Sequence, residues 1–453
     1  MKAVRRLLVV VITSLTVVGL APAAAQAAPA TRYDGVLPDG ATWIADVPAD
    51  WNGTLLLYSH GYNPTPPNPP VDSPDPATAD ALLARGYALA GSSYSRPGWV
   101  ADTAAQDGLD TLRAVTGIIG KPRRAIALGT SFGGMITGQL AERGGRWLDG
   151  AVATCGLMGG GIGLHNYQLD GSHAIAQLLL AGEQVKLVRF TDPAEAAATA
   201  NRMIAAVDQA RTSPAGRARL ALITALYQEP SWVPGQPKPA PGDIDAQAAG
   251  QYQNLRSILP FIVLGRYDME HSAGGNPTWN KGVNYWRQLA ESGRLAQVAH
   301  LYGLAGADLR ADLDLLTRTA NVTADPAAHA WMLRTSTLTG RPDMPVLTLH
   351  TTDDGLVPVQ HEEEYAEDVR DGGASALLRQ AYAEHAGHCA FTTAELVAAV
   401  LTMEQRIETG RWAGLADPRR LQARADSLGL GPAGFVGFRP GEFLGDRPAP
   451  ARH

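Results

Sequence analysis

A mostly parallel α/β sheet with helices on both faces and a large, mainly helical cap insertion is the fold class that this 453-residue sequence predicts. Three observations predict it. Apolar runs alternate with helix-like segments from 54 to 156, the alternation stops between about 157 and 340, and it returns at 345. A chain of this length exceeds the ~250 to 300 residues at which a single core stops growing, so one enzyme-sized domain carrying an insertion is expected.

In chain order, the first residues place Lys2, Arg5 and Arg6 before an apolar run from Leu7 to Leu20 and small residues ending in Ala25-Gln26-Ala27. That order predicts a signal peptide over 1–27, cleaved near Ala27, and a secreted protein. A membrane anchor needs ~20 unbroken apolar residues, and Thr13, Ser14, Thr16 and Pro22 interrupt this run. Losing the three basic residues takes the formal charge three units below its full-chain value of -6. A mildly acidic chain without a basic tract disfavours nucleic acid and anionic membrane as partners. Two cysteines, Cys155 and Cys389, allow one pairing and exclude a zinc-type cluster.

The first part of the core is expected over 28–156. "TLLLYSH" (54–60) reads as a buried strand, the Pro-rich 63–76 as a loop, 77–86 as a helix closed by Gly86, and "YALAGSSY" (87–94) as another strand. A helix at about 102–116, the strand "AIALG" (125–129), a helix from 132 and the strand "GAVATCG" (150–156) complete it. The stretch 157–340 is Ala-rich and helical in pattern at 173–181, 193–228 and 283–295, with a Pro/Gly break at 230–242. Too long for a loop, it is expected to form a lid or cap. The second part, 341–410, carries a strand at 345–354, a helix through "HEEEYAEDVRD", a strand near "ALLRQAY", and a helix from Thr393. Thr392 and Glu395 have the spacing of a capping box at its start. The extension 411–453 shows no clear period and is expected to wrap the surface.

Gly129-Thr130-Ser131-Phe132-Gly133 satisfies G-x-S-x-G between a strand and a helix. A serine at such a turn takes strained backbone angles and projects its Oγ above the sheet edge, while glycines on both sides permit close approach. Ser131 is the expected nucleophile and the Phe132 N–H, at a helix N-terminus, an oxyanion donor. The blander reading is a glycine-rich turn with an incidental serine. Tyr62, in "YSHGYN", offers the second donor N–H; His60 comes too early in the chain to be the base and is expected to hydrogen-bond backbone and order its loop. At "DDGLVP" (353–358), directly after a strand, Asp354 is expected to orient an imidazole, with Asp353 as the fallback. In "AEHAGHCAFT", His388 is the expected general base and His385 a solvated or supporting residue. Another acid, Asp268, closes an apolar run from Pro260. Placing it in the triad would leave the 345–354 strand without a role, so it is assigned to the cap. Trp279, Tyr285 and Trp286 either line the pocket or, at helical spacing, belong to the core.

Together, G-T-S-F-G-G at 129–134, H-G-Y at 60–62, D-G-L-V-P at 354–358 and A-G-H-C at 386–389 resemble the α/β-hydrolase superfamily, in particular secreted actinobacterial-type serine esterases and peptidases. The likeness spans roughly 50–160 and 340–410. It implies a triad of Ser131, Asp354 and His388, oxyanion donors Phe132 and Tyr62, and no metal or organic cofactor. It also implies hydrolysis of a small-molecule or polymer-derived carboxylic ester through an acyl-enzyme. Thr351 stands where many relatives carry glycine after the strand's histidine. The run ending in Asp268 resembles the acid-bearing strand of proline iminopeptidases. A secreted aminopeptidase of the same fold, proline iminopeptidase or tripeptidyl aminopeptidase-like, is therefore the alternative, with Asp170 or Glu270 binding a free α-amino group. A non-catalytic hydrolase-fold binding protein is the third. Cys155 and Cys389 both fall at the carboxyl edge of the sheet, so a disulfide is expected to tie the His388 loop to the core, against free buried thiols. A cysteine beside the histidine is similar to the tannase and feruloyl esterase group, in which the partner cysteine adjoins the serine; here residue 130 is threonine.

Overall fold

The structure, a computed structural model, describes residues 30–447, and the expected signal peptide lies outside them. Before the insertion come β1 (Ala30–Val36), β2 (Thr42–Pro48), β3 (Thr54–Ser59), α1 (Pro76–Leu83), β4 (Ala88–Ser92), α2 (Ala104–Ile119), β5 (Arg124–Thr130), α3 (Phe132–Arg143) and β6 (Gly150–Thr154). The insertion holds α4 (Gly160–Leu179), α5 (Pro193–Ala210), α6 (Pro214–Leu226), α7 (Ile244–Ala273), α8 (Tyr285–Glu291), α9 (Leu295–Ala305), α10 (Leu309–Thr319) and α11 (Pro326–Thr335). After it follow β7 (Val346–Asp353), α12 (His361–Asp371), β8 (Leu378–Ala386), α13 (Thr393–Thr409), α14 (Pro418–Leu428) and β9 (Phe435–Val436). Among the described residues no helix is long and apolar enough to cross a membrane.

The nine strands of the described residues join one sheet in the order β1-β2-β4-β3-β5-β6-β7-β8-β9. β3 to β8 pair in parallel, and the antiparallel pairs sit at the two edges. Sheet strands covered on both faces need apolar side chains on both, which is why β3, β5 and β6 read as unbroken apolar runs. Leu55 and Leu57 pack on one side with Leu112 of α2 and Met135 and Ile136 of α3; Leu56 and Tyr58 pack on the other with Leu82 of α1 and Val397 of α13. This is the α/β-hydrolase architecture, with the helical insertion as its cap. The chain passes from β3 to β4 on one side and returns to β5 on the other, so the carboxyl ends of β3 and β5 face a topological switch point, where such sheets open a crevice.

Several segments differ from the sequence reading, among them β1 and β2, which it did not contain, and the three that follow. The 193–228 stretch is two helices: Ser213 caps the second one, with its hydroxyl on the Gly216 N–H and Pro214 in the first turn, a stop that continuous Ala-rich periodicity hides. The run from Pro260 to Asp268 is no strand but part of α7, a 30-residue helix that continues across Pro260. The tail is more than a wrapping: α14 and β9 add Leu421, Ala425 and Phe435 to the core beneath α13. The capping box at Thr392 and Glu395 forms as expected.

Past β9 the tail crosses to the cap. Leu444 N–H and Glu442 O bond the Gln228 side chain at 3.0 and 2.8 Å, and Asn166 donates to Gly445 O at 3.2 Å. Arg447 meets Asp170 of α4 at 2.5 Å, where Tyr285 also donates to the carboxylate at 2.8 Å. Burial favours the neutral form of Asp170 and lifts its pKa despite the Arg447 charge. Removing one partner of a buried pair strands the other charge, so Arg447→Ala is expected to cost about 3–5 kcal/mol in urea unfolding. An unchanged midpoint would show the pair to be dispensable.

Candidate active site

β5 ends at Thr130 and α3 begins at Phe132, leaving Ser131 to make the whole turn at φ 60 and ψ -122. A non-glycine residue in such a region costs of order 1–3 kcal/mol and persists only where its surroundings hold it. Here the Ser131 N–H donates to Thr154 O at 2.9 Å and its carbonyl accepts from the Gly134 N–H at 2.8 Å. A Cβ on Gly129 would strike the Gly133 carbonyl and the Thr137 hydroxyl, and one on Gly133 would strike the carbonyl of Ser59 in β3. The turn therefore accepts only glycine at both places. Phe132 heads α3, so its N–H lies at a helix N-terminus. The loop after β3 presses on the same turn: a Cβ on Gly61, next to Tyr62, would lie 3.6 Å from Ser131 Cβ.

The loop between β8 and α13 brings His388 to this point. Its Nε2 lies 2.7 Å from Ser131 Oγ and its Nδ1 2.7 Å from Asp354 Oδ2. Asp354 follows β7, and its Oδ1 accepts the N–H groups of Leu356 and Val357, both at 2.9 Å. Burial works against its charge, but the attraction of His388 and hydrogen bonds from His350 and His388 outweigh it and hold the carboxyl well below the usual range. Cys155, just beyond β6, is disulfide-bonded to Cys389, with the Cα atoms 5.3 Å apart. The bridge pins the residue next to His388 to the sheet. Cys155, His388 and Cys389 lie within 4.8 Å of one another, a spacing that suits a soft metal ion, but the S–S bond withdraws both thiolates.

The remaining sequence candidates fall elsewhere. Asp353 accepts from the Thr352 hydroxyl at 2.8 Å. His60 contacts the carbonyls of Gly61 and Ser93 and orders its loop, as expected, and His385 pairs with Glu395 at 2.8 Å. Asp268 ties α7 to the core by accepting from the Tyr62 hydroxyl at 2.7 Å and the Trp99 N–H at 2.8 Å. Asp170 is consumed by Arg447 and Tyr285, and Glu270 accepts the Arg189 N–H at 2.6 Å. Trp279 and Tyr285 are buried in the cap and Trp286 is exposed. Two groups behind Asp354 escaped the sequence reading, His350 and Glu362; the only signal was a histidine four residues before the acid in "LHTTDD".

Between core and cap, a cavity of about 40 Å³ opens on Ser131, lined by Tyr62, Trp99, Phe132, Phe261 and Leu356 among others. Trp99 meets Phe132 edge-on at 5.2 Å, and Tyr62 meets Phe261 edge-on at 5.6 Å. Beyond Leu356 a wider opening borders His388 between Pro234, Arg256 and Ser257.

No family model matches the chain. It is similar to the o-phthalyl amidase of Xanthobacter agilis, with 28% identity over 440 residues that cover 91% of this chain and 94% of that protein. Among solved structures it is similar to the tannin acyl hydrolase from Aspergillus niger, at TM-score 0.38 and 16% identity over 85% of this chain and 81% of that one. Feruloyl esterase B from Aspergillus oryzae gives a TM-score of 0.36 and 11% identity over 84% and 80%.

Proposed function

We propose that this chain is a serine hydrolase that cleaves carboxylic acyl bonds through an acyl-enzyme, with Ser131 as nucleophile, His388 as general base and Asp354 as its orienting acid. One observation carries the reading: a single imidazole bridges the Ser131 hydroxyl and a buried carboxylate at 2.7 Å on each side. His388 Nε2 takes the hydroxyl proton as Oγ attacks the carbonyl carbon. The Phe132 and Tyr62 N–H groups are assigned to the oxygen that becomes negative. His388 then returns the proton to the leaving group as the acyl–heteroatom bond breaks, and water repeats the sequence on the acyl-enzyme. The narrow aromatic cavity is assigned to the acyl part, which suits a small, flat, apolar group, and the wider opening beside His388 to the leaving group.

Carboxylic esters are the first substrate class. Amides of aromatic acids are the second reading, favoured by similarity along nearly the whole chain to a protein described as an o-phthalyl amidase. An aminopeptidase fits poorly, because Asp170 and Glu270 already have internal partners. The test is a panel of p-nitrophenyl acetate, butyrate and benzoate with the matching anilides and with aminoacyl and tripeptidyl p-nitroanilides that carry a free α-amino group. Benzoyl substrates are expected to exceed butyryl ones in kcat/KM by about tenfold, the scale of apolar pocket discrimination. Preference for anilides bearing a free amine would overturn the assignment in favour of a peptidase, and inertness towards the whole panel would favour a binding protein.

A further inference from the structure

His350 of β7 is fully buried, and both of its ring nitrogens face acceptors. Nδ1 lies 3.1 Å from Glu362 Oε1 on α12, and Nε2 lies 2.9 Å from the Val357 carbonyl and 3.5 Å from Asp354 Oδ2. A backbone carbonyl only accepts, so Nε2 carries a hydrogen. The proton between Nδ1 and Oε1 then belongs to one partner or the other. The other Glu362 oxygen receives the Thr348 hydroxyl and, at 2.8 Å, the Gln380 amide, which stabilises a carboxylate. Asp354, on the far side, accepts two backbone N–H groups and His388, so it too is anionic. One imidazole lies between two buried carboxylates.

We propose that His350 and Glu362 are positioning residues for the catalytic step: His350, held as a buried imidazolium between Glu362 and Asp354, fixes the Asp354 carboxylate beneath His388 and tempers the negative charge that His388 feels. This rests on the serine-hydrolase reading of Ser131, His388 and Asp354. Burial alone would strip the proton from His350, but its hydrogen bonds to Asp354 and Glu362 outweigh burial and raise its pKa to about 10. Burial, and then the His350 charge, depress neighbouring His361 to about 3, and its bare Nδ1 accepts the Gly159 N–H at 3.0 Å. The groups around the cluster are Thr348 and Asp354 with β7, His361 and Glu362 on α12, Gln380 on β8, and His388 before α13. From the cap come Tyr167 on α4, which donates to the Leu356 carbonyl at 3.1 Å, and Glu229 after α6, with Arg294 beyond it. Burial favours the neutral form of Glu229 and lifts its pKa, with the Arg294 charge opposing that and the Asp354 charge reinforcing it.

The sign of the effect follows. In Glu362→Gln the amide donates to Nδ1, His350 gives up its extra proton, and its Nε2–H stays on the Val357 carbonyl. Asp354 then acts on His388 unopposed, and the acid limb of kcat/KM moves to higher pH by about half to one unit. His350→Gln is expected to move it the same way. In protein with 15N-labelled histidine, NMR of the parent is expected to show both nitrogens of one imidazole protonated from about pH 6 to 9, a signal missing in His350→Gln. A folded Glu362→Gln protein with an unmoved acid limb, or a neutral His350 tautomer in the parent, would overturn the proposal. Parent protein that fluorophosphonate leaves unlabelled would instead undercut the hydrolase reading, and the NMR result judges the charge pair regardless.

Discussion

Ser131→Ala abolishes labelling by fluorophosphonate and lowers kcat by about 10⁴-fold or more, while the unfolding midpoint stays within about 0.5 kcal/mol of the parent: this is the expected result if the site works as assigned. The effect is large because the reaction loses its covalent intermediate, and among the described residues no other hydroxyl hydrogen-bonds His388. The effect on stability is small because, among the described residues, the Ser131 side chain bonds that imidazole alone, whereas the turn itself is held through main-chain bonds to Thr154 and Gly134 that alanine retains. Intact-mass analysis of the phosphonylated protein reads the first quantity and a urea curve the second. Persistent labelling of the alanine variant would assign the nucleophile elsewhere.

Asp354→Asn is expected to lower kcat by about 10⁴-fold with little change in KM, the scale seen when a triad acid loses its charge but keeps its shape. An asparagine can satisfy the Leu356 and Val357 N–H groups only with its carbonyl oxygen. Its NH2 group must then point at His388 Nδ1, where the native carboxylate accepts. That donor forces the imidazole to carry its hydrogen on Nε2, facing Ser131, so the base is unavailable to the hydroxyl. The same NH2 also faces the Nε2–H of His350, donor against donor. A pH-rate profile and burst kinetics separate the loss of the base from a loss of binding. Retention of a tenth or more of kcat would move the acid's role away from Asp354.

Much of this site is legible in the sequence because its parts are local. The G-x-S-x-G turn, the strand before Asp354 and the loop before the Thr392 capping box each announce themselves within a dozen residues, and chain order assigns their roles. The cysteines are legible for another reason: two strand-edge positions, one pairing. What the sequence hides is set by long-range packing. β1 is largely exposed and lacks a regular apolar alternation, so its pairing with β2 leaves no pattern to find. Pro260 looks like punctuation, yet α7 carries it as an interior residue because cap and core grip that helix through Leu255, Leu259 and Ile262. Glu362 meets His350 only because α12 packs back on β7, and no local signal in either segment foretells a charge pair.

The tail that laces Gln228, Asn166 and Asp170 adds a tether to the cap, besides the two places where the chain enters and leaves it and the side-chain ties through Asp268 and Tyr167. A body hinged at two points can swing, and each further tether opposes that swing. A tethered cap favours entry to Ser131 by rotation of individual side chains such as Leu356 and Phe261, which line the narrow cavity, and so favours slender molecules.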